Sequence, residues 1–112
     1  MAIEMSNKDF AKYVVDNIGR ASLVNALNIT NNFTAENSSY DFIEFLKEIQ
    51  VYASLLCQNM RLSSDKMYKI VFISVTTLED YQSDFNYNKT MLIDTFIIKL
   101  WEIFNGATST KS

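Results

Sequence analysis

Apolar positions recur at helical spacing along most of this chain. Phe42, Leu46, Ile49, Ala53, Leu56 and Met60 follow one another at intervals of four and three residues, the period that returns side chains to one face of an α-helix. Phe45 and Tyr52 widen that stripe, while Glu44, Lys47, Glu48, Gln58 and Arg61 take the opposite side. The pattern predicts a helix over 40–62 with one face in a globular core.

The same reading places elements on either side. Ser6-Asn7-Lys8-Asp9 resembles a capping box, with Asp9 where Glu or Gln is usual. Phe10, Ala11, Val14, Val15 and Ile18 then share a face, and Lys12 and Asp16 lie four apart on the other, where they can pair weakly. Gly19 is a candidate break. Ala21, Val24 and Leu27 continue the period to about Asn28. Positions 30–39, rich in Asn and Ser, read as a connection, with Ser38 or Ser39 capping the next helix.

After a break and cap at Leu62-Ser63-Ser64-Asp65, Met67, Val71, Val75 and Leu78 recur at helical spacing. The stretch 69–77 is rich in β-branched residues and fits a strand as well. A lone strand has no partner to pair with, so the expectation is helix. A second break runs through 83–88. The last helix, 89–105, is apolar around most of its circumference, with Thr95, Lys99 and Glu102 as a narrow polar stripe. Such a helix is normally central. Gly106 is a natural left-handed stop, and 107–112 reads as a disordered tail.

Turn residues sharpen the fold class. The chain has no proline and two glycines, whereas sandwiches and barrels need frequent turn residues. The expectation is an all-α protein: a single-domain antiparallel bundle of four to five helices over 1–106. Its 112 residues, 48% of them hydrophobic, suffice for one domain with a real core.

Charge and cysteine usage narrow the partners. The net charge is −3, and the ten basic residues are scattered. Nucleic-acid binders concentrate Lys and Arg against phosphates, so no direct nucleic-acid binding is expected. Residues 1–10 are polar and mixed, unlike a secretory leader, and no apolar run is long enough to span a bilayer. The expectation is a cytoplasmic protein with no membrane partner. Cys57 is the one cysteine, which excludes an intramolecular disulfide.

The candidate chemistry is thin. With no histidine, the commonest general base and the His-containing triads and zinc sites are missing. Two glycines far apart exclude a P-loop and a dinucleotide fingerprint. Cys57 sits mid-helix beside the apolar stripe, where cysteine usually acts as a small hydrophobe. Asp41, Glu44 and Glu48 share a helix flank, which is normally a solvated face. Asp84-Phe85-Asn86-Tyr87-Asn88 opens like an EF-hand loop, but Lys89 and Thr95 stand where glycine and a bidentate glutamate belong. No enzyme activity, cofactor or metal site is expected.

What remains is binding. The leading expectation is a small acidic protein–protein interaction module, of the inhibitor or immunity type, that blocks a partner protein. The alternatives are a structural homo-oligomer, with a homodimer as its simplest form, and a small-molecule or lipid binder. Glu79, Asp80, Tyr81, Asp84, Phe85 and Tyr87 put three carboxylates and three aromatics within nine residues. Tyr is favoured at interfaces, and the carboxylates would steer a basic partner. This segment is the candidate contact surface; the other reading is that Tyr81 and Phe85 fold back to cover the bundle end while Glu79, Asp80 and Asp84 stay in water.

Overall fold

In a computed structural model, which describes residues 5–35, 38–83 and 88–105, the chain is an all-α helical bundle, and no strand occurs among the described residues. Helix α1 spans Asn7–Asn17 and continues into a 3-10 turn at Ile18–Arg20. Two short helices, α2 (Leu23–Leu27) and α3 (Asn31–Thr34), flank a second 3-10 turn at Asn28–Thr30. Then come three long helices: α4 (Phe42–Gln58), α5 (Ser64–Gln82) and α6 (Lys89–Asn105).

Named contacts fix the directions. Asn7 accepts the backbone N–H of Asp41, and Asp16 accepts the hydroxyl of Tyr52, so α1 and α4 run parallel. Against α6 the order reverses: Gly19 meets Asn105, Ala21 meets Trp101 and Thr30 meets Asp94. The stretch 18–34 therefore acts as one broken helix running back down the bundle. Helices α4 and α5 are joined by a short turn and pack on each other, as do α5 and α6. Consecutive legs thus alternate in direction, as short connections require. The long return through 18–41 is what leaves α1 and α4 parallel.

Local chemistry accounts for the helix ends. Ser6, Ser22 and Ser63 each accept a backbone N–H in the first turn of the helix that follows, satisfying donors that have no partner within the helix. Asp41 caps α4 through Ile43 N–H at 2.9 Å, in place of the expected Ser38 or Ser39. Ser38 instead donates to the carbonyl of Asn32 and accepts from Tyr40 N–H. Asn88 caps α6 through Met91 N–H. Lys12 and Asp16 do not pair as expected: the Asp16 carboxylate is taken up by Tyr52, and Lys12 lies over the Tyr52 ring.

Three further expectations are corrected. Asn31–Thr34 is helical rather than part of a connection; the ring of Phe33 anchors it against Phe10, Phe42 and Phe45. Val24 does not continue the buried stripe and is 70% exposed, while Ala26 is fully buried. Helix α4 ends at Gln58, short of Met60. Arg61 N–H returns to the carbonyl of Leu56 and Met60 N–H to that of Cys57, with Met60 at φ 62°. This is a Schellman stop with methionine where glycine is usual. It throws Met60 out of the core to 93% exposure.

The core runs the length of the bundle. Phe45, Leu46, Ile49, Ile70, Phe96, Ile97 and Leu100 are fully buried, and Leu56 and Phe104 pack on it half-buried. Gly19 lies close against α6: a Cβ there would stand 3.2 Å from the Cβ of Phe104, which would have to give by a few tenths of an ångström. The expected tail, 107–112, lies outside the described residues.

Candidate interaction surface

Helix α5 carries the candidate surface, and its orientation differs from the one its apolar spacing implies. The buried positions are Ile70, Ile73, Ser74 and Thr77, not Val71 and Val75. Met67 and Leu78 flank that face half-buried. The stretch 69–77 is helical, and its hydroxyls find partners by bonding back along the helix. Ser74 donates to the carbonyl of Ile70 at 2.7 Å and Thr76 to that of Phe72 at 3.0 Å. A buried Ser74 lets helices approach closely while its own polar atom is satisfied.

Turning Ser74 and Thr77 inward turns aromatic rings outward. Tyr68 is 68% exposed and Phe72 67% exposed, one turn apart, with Val75 partly exposed after them. Asp65, Lys69, Glu79 and Asp80 are exposed around this stripe. Asp65 and Lys69 form an ion pair at 3.2 Å, worth little on an open surface. Sequence reasoning missed this stripe because it scored apolar residues alone. The charges at positions 65, 69 and 79 marked the wet face, and Phe72 lies within their arc.

The residues expected to form the contact segment separate. Glu79 and Asp80 are exposed at the end of α5. Tyr81 turns inward, half-buried, with its ring 5.0 Å from that of Phe42. Burial, followed by the nearby Asp41 charge, raises its hydroxyl pKa above the ordinary 10.0. Lys89 closes this end of the bundle. Its Nζ donates to the Tyr81 carbonyl at 2.7 Å and lies 4.2 Å from the ring centroid. A cation on the last carbonyls of α5 also meets the negative end of the helix dipole. Asp84, Phe85 and Tyr87, and with them most of the EF-hand-like stretch, lie outside the described residues.

Other candidate groups are committed to local roles. Cys57 is half-buried where α4 meets the next turn, its Sγ 3.7 Å from Ser64 Oγ. Asp41 is the α4 cap, Glu44 is exposed and Glu48 lines a cleft between α1 and α4. That cleft, about 190 Å³, is bordered by Lys8, Lys12, Val51, Tyr52 and Leu55. It is smaller than the ~300 Å³ at which pockets begin to enclose drug-sized ligands. Among the described residues no cluster of acidic or thiol side chains could hold a metal ion, and no helix is long and apolar enough to cross a membrane.

Comparison with protein-family models, with curated proteins and with solved structures returns no match for this chain.

Proposed function

We propose that this chain is a non-catalytic module that binds another protein through the outward face of α5. The observation that carries the reading is the pair Tyr68 and Phe72, both about two-thirds exposed on a helix whose inner face fills the core with smaller residues. Exposed single hydrophobes are ordinary. Two neighbouring aromatics with a charged rim match the composition of binding hot spots, where large rings are desolvated inside a polar border. Glu79 and Asp80 extend the rim with negative charge, which speeds encounter with a basic partner more than it strengthens the final complex. The simplest form of this role is blocking a cytoplasmic partner by covering it, as inhibitor and immunity-type proteins do. The sequence contains no histidine, and that supports binding rather than catalysis.

The test is a photo-crosslinking amino acid placed at Phe72, with Lys99 on the exposed side of α6 as control position. In cells that naturally make the protein, a discrete crosslinked product from position 72, absent from position 99, is expected. No product at 72, or equal products at both positions, would remove α5 as the contact face.

A further inference from the structure

Resting on that reading of the α5 face as the contact surface, we infer that its occupant is a second copy of this chain, docked antiparallel, α5 against α5, so that only the monomer presents the face to a different protein. Charge along the helix carries the argument. The N-terminal half of α5 holds Asp65, Lys66 and Lys69, and the C-terminal half holds Glu79 and Asp80, against which the one cation is Lys89 of α6 on the Tyr81 carbonyl. One end is therefore net positive and the other net negative. The backbone dipole opposes a parallel pair and favours an antiparallel one.

The charged positions select one register. Ser74 lies midway between Lys69 and Glu79 in sequence. An antiparallel pair centred there sets each Lys69 opposite the other copy's Glu79. The same register sets Phe72 opposite the partner's Thr76, one position from Val75, and the Tyr68 hydroxyl opposite Asp80. Asp65 then faces position 83, a serine, rather than a carboxylate. Such a two-fold contact buries the same patch on both copies, as closed dimers do.

The contact is limited in extent. Nineteen residues of helix make a strip about 28 Å long and 10 Å wide, below the ~800 Å² per partner of a standard interface. The dimer is accordingly weak and reversible.

Sedimentation velocity of the whole chain across roughly 10 µM to 1 mM tests this. The mass is expected to climb from 12.9 kDa towards twice that value. Phe72→Glu should weaken association at least about tenfold with an unchanged helical spectrum, because the side chain supports no core contact. Lys69→Glu and Glu79→Lys should each weaken it several-fold, and the two together should restore it to within about twofold. A parent chain that stays monomeric throughout, or a Phe72→Glu variant that dimerises normally, overturns the inference. A double variant as weak as either single one overturns the antiparallel register. A monomeric parent that still gives a position-72 crosslink to a different protein overturns self-pairing alone. A monomer with no crosslink overturns the interaction reading as well.

Discussion

Trp101 donates its indole N–H to the backbone carbonyl of Ala21 over 2.8 Å, across eighty positions of sequence. Ala21 follows the 3-10 turn at the head of the broken return leg, so this one bond pins the first reversal of the chain to the C-terminal part of α6. Trp101→Phe removes the donor, orphans a sheltered carbonyl and leaves a smaller ring. A loss of about 1–3 kcal/mol is expected, read as a lower midpoint in urea with unchanged slope. A midpoint within error of the parent would mean that the return leg is held without this bond.

Leu100 and Leu56 separate two depths of core. Leu100 is fully buried, whereas Leu56 packs half-buried at the end of α4. Leu100→Ala should cost about 2–5 kcal/mol, a large part of the 5–15 kcal/mol available to a domain. Leu56→Ala should cost clearly less, because less apolar area returns to water. Equal melting temperatures for the two variants would contradict the burial described for α4.

Met60 stores strain that a single substitution releases. Its φ of 62° lies in the left-handed region, which costs an L-residue about 1–2 kcal/mol, and its side chain makes almost no contacts. Glycine adopts that conformation freely but loses more chain entropy on folding. The balance predicts that Met60→Gly stabilises the protein by about 0.5–1 kcal/mol. Thermal melts at fixed scan rate decide it, and a lower midpoint would count against the Schellman geometry.

These positions also show where the sequence was readable. Helix α6, Lys89–Asn105, was legible because its apolar girth and the glycine that follows it are local signals. So was the face of α1. The end of α4 was not, because the left-handed stop is a methionine and methionine at that spacing reads as core. The inward face of α5 was hidden by Ser74 and Thr77, whose burial depends on how closely neighbouring helices approach, something no local pattern records. Tyr81 was open to two readings, a contact residue or a ring folded back over the bundle end. An aromatic beside carboxylates resembles a contact residue until Phe42, far away in sequence, supplies a partner for its ring.

Tyr52 gives a prediction in alkaline solution. Its hydroxyl donates to the Asp16 carboxylate at 2.7 Å, tying α4 to α1. Burial raises its pKa above the ordinary 10.0, helped by that hydrogen bond and the Asp16 charge and opposed by Arg61. The folded protein thus holds this proton more tightly than the unfolded chain does. The resulting stability is fully present below pH 10.0, the ordinary value, and is lost as pH rises through the raised folded value. Tyr52→Phe keeps the ring and removes the bond, so at neutral pH it should cost about 0.5–1.5 kcal/mol. The gap between parent and variant should stay constant from pH 7 to about 10 and then close. Urea unfolding of both proteins at a series of pH values measures the gap directly. A gap that persists unchanged well above pH 10.0 would show that the hydroxyl does not hold its proton against Asp16.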